Sequence, residues 1–390
     1  MSLNSSTPDA QPPLQMRRTT RKALINLVLF VLALIFIIYV GHGSSDNIPF
    51  AWTTVRYMTT AATLPEARGI CPGLASNVKP ALVVAQVGAD GSPSWLESLS
   101  DLYHLCIYTA DAPMDQESHY LQVPANRGHE AMAYLTFLID NYADIPAAGA
   151  IFVHGSRWAW HNDHPVYDNA ALLAALNVSA AVAPLGYHNL RCDWSTSTCS
   201  ADTGPPQGSL ETSMNAVLEP YNLRTVSDAA LPRALVTLFG GDAVEDSSSS
   251  REGQQLLMGR NHVVRSQCCA QFVVAQANVW RHSREEYVAL RQWLLDGTAP
   301  SDDRVSGRVL SYLWHILFIA PDAHDSQSSS PTGVDLERLN RLACPSADEC
   351  YCRLYGRCDP QGCTSPGHCE GEYSLPPDLR LPQDWGAKHS

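Results

Sequence analysis

The first patterned segment of the chain is ALINLVLFVLALIFIIYV at residues 23–40, an apolar run with Asn26 as its one polar interruption. A helix of that length just crosses a hydrocarbon core, so the pattern predicts a membrane span. Arg17, Arg18, Arg21 and Lys22 precede the run, and no basic cluster follows until well beyond Gly43. The positive-inside rule then leaves residues 1–22 as a cytoplasmic tail and predicts a single-pass type II membrane protein. The competing reading, a cleaved signal peptide, is disfavoured because the run is longer than a usual h-region and lacks a small-x-small cleavage site.

Little periodicity follows over 41–78, which reads as a stem. Five short apolar runs then have strand length: 81-ALVVAQV-87, 103-YHLCIYT-109, 149-GAIFVHG-155, 233-RALVTLF-239 and 269-CAQFVVA-275. Between them, Met132, Leu135, Ile139 and Tyr142 share one face of a helix that ends before Pro146. A second helix over 283–297 opens with a capping box, Ser283 and Glu286, and closes on Gly297. Strands alternating with helices predict an α/β domain over 79–320 whose sheet is mostly parallel and flanked by helices. A linker at 321–343 and a cysteine-rich tail at 344–390 complete the expected organisation.

The cysteines agree with a lumenal domain. Six of the twelve crowd into 344–369, where Gly and Pro replace apolar periodicity, so Cys344, Cys350, Cys352, Cys358, Cys363 and Cys369 are expected to be oxidised in the secretory lumen, in a pairing that spacing leaves open. Zinc is the rival for this tail, but no pair has C-x-x-C spacing. The Cys268-Cys269 pair reads as one disulfide partner and one buried strand residue. Asn177-Val178-Ser179 is a glycosylation acceptor. A formal net charge of −13 argues against a nucleic-acid partner, which needs a basic face to replace counterions.

Candidate chemistry concentrates in 151-IFVHGSRWAWHNDHP-165. In open α/β sheets, ligands bind beyond the carboxyl ends of strands, and this stretch follows such an end. His154 and His161 are the candidate catalytic groups, able to accept or donate a proton near neutral pH. Arg157, followed by Trp158 and Trp160, suits a sugar or phosphate. His154, His161, Asp163 and His164 lack the i, i+4 spacing that presets imidazoles for a metal, so no preformed metal site is expected. Asn126, Arg127 and Glu130 stand at a helix start, where free N–H groups and the dipole attract an anion; the plainer reading is that Asn126 caps the helix and Glu130 balances its dipole. Gln271, Trp314 and His315 are further candidates for the same cleft, although Trp314 shares a helix with Val309, Leu313 and Ile316 and equally suits a core. A serine hydrolase has less support, because no G-x-S-x-G elbow follows a strand.

Residues 124-PANRGHEAMAYLTFLIDNYADIPAAGAIFVHGSRWAWHN-162, 267-QCCAQFVVAQANVWRHSREEYVALRQWL-294, 306-SGRVLSYLWHILF-318 and 350-CYCRLYGRC-358 resemble a fungal membrane-anchored family known as domain of unknown function 3431. Its members often carry Asn-Glu after the first strand and an acidic residue before the late Trp-His, where this chain has Ala89-Asp90 and Ser311. The topology is more loosely similar to Golgi type II glycosyltransferases. That resemblance implies a glycosyltransferase-A-like lumenal domain in the Golgi or another secretory compartment, with a nucleotide sugar and a glycan acceptor as partners. A divalent metal such as manganese enters if the transferase is of the metal-dependent kind, but His154 stands where that kind carries an acidic pair, and the Asp242–Asp246 stretch is a weak substitute. The other function class is a non-catalytic lumenal or cell-surface protein that binds carbohydrate or a protein partner.

Overall fold

A computed structural model describes residues 18–41, 54–58, 64–111, 118–200, 204–240, 258, 262–320 and 336–370. Residues 1–17 of the expected cytoplasmic tail, the Asp242–Asp246 stretch and most of the expected linker lie outside the described residues. The chain divides into two units, Met1–Asn47 and Ile48–Ser390. In the first, one helix runs from Arg18 to Gly41. Its side chains are described as far as Phe36, and its large apolar ones stand open, from Leu34 at 44% to Phe36 at 66% exposure. Among the described residues no helix is long and apolar enough to cross a membrane.

The second unit is built on a six-stranded sheet: β1 Ala81–Gln86, β2 His104–Thr109, β3 Leu121–Gln122, β4 Ala150–His154, β5 Tyr187–Asn189 and β6 Phe272–Val274, in the order β3-β2-β1-β4-β6-β5. β1, β2, β3 and β4 are parallel, and β6 runs antiparallel to both β4 and β5. The strands are largely apolar because both faces are covered, with polar residues such as His104, His154, His188 and Asn189 toward the ends of strands and in the short edge strand β5. Ala81, Val83, Ala150, Phe152, Phe272 and Val274 enter one core, while Leu82, Val84, Ile151, Val153 and Val273 enter the other. Alternation along each strand therefore sorts residues between two cores and not between core and water. The helices Glu130–Asp140, Leu223–Gly240 and Arg284–Leu295 supply residues to the first core, and segments around Pro93–Leu99, Asn169–Ala175 and Ala347–Tyr355 supply the second.

One expected strand is a helix. Residues 233–239 lie within Leu223–Gly240, which buries Leu231, Ala234, Leu235 and Leu238. That i, i+3, i+4, i+7 spacing is the helical period, and it prevails over a run of strand length. β3 and β5 span two and three residues, too short for a pattern to announce them. The capping box is present as expected, with Ser283 Oγ accepting from Glu286 N and the Glu286 carboxylate accepting from Ser283 N. Gly297 follows with φ +74°, a conformation that suits glycine.

The cysteine-rich tail is not separate from the domain. Cys352–Cys358 and Cys363–Cys369 close within it, but Cys344 bonds Cys199 and Cys350 bonds Cys192. The Ala347–Tyr355 helix buries Cys350, Tyr351 and Leu354 in the second core, and Leu336–Ala343, at the end of the expected linker, buries Leu336 and Leu339 in the first. Part of the expected stem also packs on the domain, with Cys71 bonded to Cys106 of β2 and Val55 N donating to the Glu286 carboxylate at 2.8 Å.

Candidate functional site

β4 ends at His154, and Gly155 turns the chain against the end of β1. A Cβ at Gly155 would lie 2.9 Å from Gln86 Cα, so the turn needs glycine to come this close. Because β6 is antiparallel to β4, the residues before it, Cys268 and Cys269, arrive at this same end of the sheet. A cleft of about 450 Å³ opens there. It lies beyond the carboxyl end of β4 on the side where the segment before β6 arrives, while the strand order reverses between β1 and β4.

The floor is formed by β4 and the segment before β6. The His154 and His161 rings approach to 4.6 Å between centroids, and Trp160 meets His161 edge-on at 5.4 Å. His154 Nε2 is 2.7 Å from Cys269 O, a contact in which the ring nitrogen donates, which leaves Nδ1 as the acceptor of the neutral ring. Cys268 and Cys269 are bonded to each other, so Cys268 is a disulfide partner as read, whereas Cys269, read as a buried strand residue, is its partner. Two thiols are thereby replaced by a polarisable apolar surface in the cleft, and Thr196 Oγ1 donates to Cys268 Sγ at 2.9 Å.

A helix, Asp303–Ser311, forms the facing wall. Gly307 lets it press on the turn before Glu130–Asp140, since a Cβ there would lie 2.9 Å from Gly128 O. Arg304 and Arg308, one turn apart on this helix, both line the cleft. Arg304 forms a bidentate pair with Asp302 at the exposed helix start. Arg308 Nε lies 3.4 Å from the Tyr312 hydroxyl, which donates to Asp228 at 2.7 Å. Burial raises the Asp228 carboxyl above its ordinary pKa, against the lowering influence of Tyr312, Arg224 and Arg308. Of the residues lining the cleft, Glu130 is the acidic one among the described residues.

The structure brings four expected residues together here: His154, His161, Trp160 and Glu130. Others are engaged elsewhere. Arg157 makes a bidentate pair with Asp168, Nε at 2.9 Å and Nη2 at 2.8 Å, and stacks 4.7 Å from the Trp158 ring. Arg127 binds Asp303 and the carbonyls of Pro300 and Ser301, and Gly128 N donates to the Asp303 carboxylate, so a side chain of the chain itself supplies the anion that this helix start attracts. Asn126 is exposed and does not cap the helix, whose N-cap position is His129. Gln271 is buried between Asn162 and Asn169. Trp314 and His315 lie in the core, where burial alone lowers the His315 pKa to about 3.

Arg304, Arg308, His129 and the Cys268–Cys269 bridge were not singled out by sequence. The i, i+4 arginines behind an Asp302 N-cap were the available signal, one that many solvated helices also carry. Among the described residues the metal-ligating cluster lies outside the cleft: Cys71, His104 and Cys106 gather, but the two sulfurs are joined and offer no thiolate. Asp163, in the histidine-rich stretch, instead accepts from Cys192 N, Asp193 N and the Tyr351 hydroxyl.

A profile of the family described as "Protein of unknown function (DUF3431)" matches residues 82–353. No curated protein and no solved structure matches the chain.

Proposed function

The chain belongs to the DUF3431 family, whose description names no activity, and from the chemistry of the cleft we propose a membrane-anchored, lumenal glycosyltransferase-like enzyme. It transfers a sugar from a nucleotide donor to a glycan or surface acceptor. The observation that carries this reading is the conjunction of Arg304 and Arg308 with His154 and His161 beyond β4, in a sheet whose β3-β2-β1-β4 part follows the strand order of a mononucleotide-binding half. The finer, glycosyltransferase-A-like reading of the fold, the span at 23–40, the type II orientation, Golgi residence and a glycan on Asn177 belong to the same proposal. Asn177 suits the last of these, being exposed and capping the following helix through Oδ1.

In this scheme the acceptor hydroxyl attacks the anomeric carbon as the bond to the donor diphosphate breaks. The acceptor proton passes to His161 or His154, and Arg308 and Arg304 balance charge on the departing diphosphate. Trp160 and the Cys268–Cys269 bridge offer apolar surface to a sugar ring or base. With arginines in the charge-balancing role, manganese is not required by this cleft.

Thermal unfolding of the full chain with uridine and guanosine diphosphates tests the reading. A saturating ligand at about 100 times Kd stabilises by about 2.7 kcal/mol. We expect stabilisation by one of these nucleotides, unaltered by chelator and lost in Arg308→Ala. If no nucleotide shifts the transition with or without manganese, the non-catalytic carbohydrate- or protein-binding reading replaces this one.

A further inference from the structure

Behind the arginine wall the helix Leu210–Leu218 packs against Leu223–Gly240 with its polarity reversed. Thr212 is its buried residue, with Asn215 and Ala216 half-buried, whereas Leu210 is 62% exposed, Met214 55%, Val217 79% and Leu218 74%. At about 100° per residue these four fall in an arc roughly 100° wide, the width of an ordinary core-facing stripe, and here that arc faces outward. Tyr221, 95% exposed, prolongs it. Single exposed apolar residues need no explanation, but a contiguous stripe on a helix whose inward face is polar does. Two residues beyond Tyr221, Leu223 lines the cleft, and Arg224 Nη2 donates to the carbonyl of the cleft residue Ser197. The stripe thus leads to the mouth of the site.

Its occupant can be argued from charge and from the rest of the chain. Residues 204–222 contain Glu211 and Glu219 and no lysine or arginine, so attraction to an anionic surface cannot hold this face, and apolar contact must. The same chain carries a helix with open Leu, Ile, Val and Phe side chains from Leu24 to Phe36, which on the membrane-anchored reading above are covered by lipid. We propose that the Leu210–Tyr221 stripe rests on the uncharged surface of a bilayer and presents the cleft to a lipid-borne acceptor. The acceptor's headgroup hydroxyl enters between the arginines and His161 while its hydrocarbon stays in the membrane. This substrate class rests on the transferase reading above, whereas the lipid contact is measurable without it.

All twelve cysteines are in disulfides, so Leu218→Cys adds the one thiol of the chain and takes a polarity-sensitive fluorophore. Asp101→Cys is the control, since Asp101 is exposed and precedes β2 at the sheet end opposite the cleft. In full-length protein reconstituted into phosphatidylcholine vesicles that contain spin-labelled lipid, the Leu218 label should be quenched several-fold more than the Asp101 label. Equal quenching overturns the proposal, as does protection in detergent with a doubled hydrodynamic mass, which would assign the stripe to a second copy of the chain. A variant with Met214, Val217, Leu218 and Tyr221 all changed to serine should keep nucleotide binding and transfer to a water-soluble acceptor fragment while losing transfer to the lipid-borne form. Loss of both transfers to the same degree contradicts the acceptor class. If wild type binds no nucleotide, the transferase reading and the acceptor class fall together, and the label comparison still decides the membrane contact.

Discussion

The two walls of the cleft are made of different material. On one side, the loop after β4 is a closed polar assembly: Asn162 Nδ2 donates to the carbonyls of Arg157 and Tyr167, Asp163 accepts from three groups, and Arg191 reaches His161 O. Disulfides Cys192–Cys350 and Cys199–Cys344 bind this side to the C-terminal segment. On the other side, helices Leu210–Leu218, Leu223–Gly240 and Asp303–Ser311 carry no disulfide and have fewer ties among the described residues, such as Tyr312 to Asp228. The contrast follows from the backbone. A loop has no ladder to satisfy its N–H and C=O groups, so its polar side chains turn inward to do so. A helix satisfies its own backbone, and its Arg304 and Arg308 line the cleft, Arg304 while paired with Asp302 and Arg308 beside Tyr312. A sequence dense in polar and aromatic residues was therefore partly scaffold, and an ordinary helix supplied the cations.

The largest effect expected from breaking this contrast comes from the Cys192→Ser, Cys350→Ser pair. Urea unfolding should show a loss of about 2–5 kcal/mol, because this bridge closes a long loop in the unfolded chain. Asp163→Ala comes next at about 3 kcal/mol by the same measurement, since it leaves two buried backbone N–H groups and the Tyr351 hydroxyl without their acceptor.

Acid should separate the walls by sign. His188 in β5 is buried, and desolvation lowers its pKa to about 4. Its neutral form is favoured by folding, so its contribution is whole above the unfolded value near 6.5 and is lost as pH falls toward about 4, on the order of 2–3 kcal/mol by pH 4.5. Asp228, behind the helical wall, has a raised pKa, so acidification favours its folded form and its contribution is lost as pH rises through that raised value. Stability measured from pH 7 to 4.5 should fall in the wild type and fall less in His188→Leu. An equal slope in both would remove His188 from the account. The smallest effect belongs to the outward stripe: Met214→Ser with Val217→Ser should change stability by no more than about 0.5 kcal/mol, as both side chains are exposed in the fold.

Much of the scaffold was legible in the sequence. The runs at 81–87, 103–109 and 149–155 became β1, β2 and β4 because both faces of the sheet are covered and most positions are apolar. The site was legible in part. His154, His161 and Trp160 reach the cleft because a strand end delivers them, whereas Arg127 and Arg157 found carboxylates, Asp303 and Asp168, whose proximity no spacing announces.

By itself the sequence determined what acts within a few residues: the apolar N-terminal helix, the Ser283 capping box, the Gly297 stop and a crowd of cysteines whose density called for oxidation. Tertiary structure decided what depends on where the chain returns. It joined Cys344 and Cys350 to partners 145 and 158 residues away and bonded Cys268 to its neighbour. It paired Arg127 and Arg157 with carboxylates away from the cleft, placed Arg308 and the Asp302-paired Arg304 in its lining, and turned the apolar face of Leu210–Leu218 outward. Periodicity and capping are set by contacts within a turn or two of backbone, while the partner of a charge or a thiol is set by packing across the whole domain.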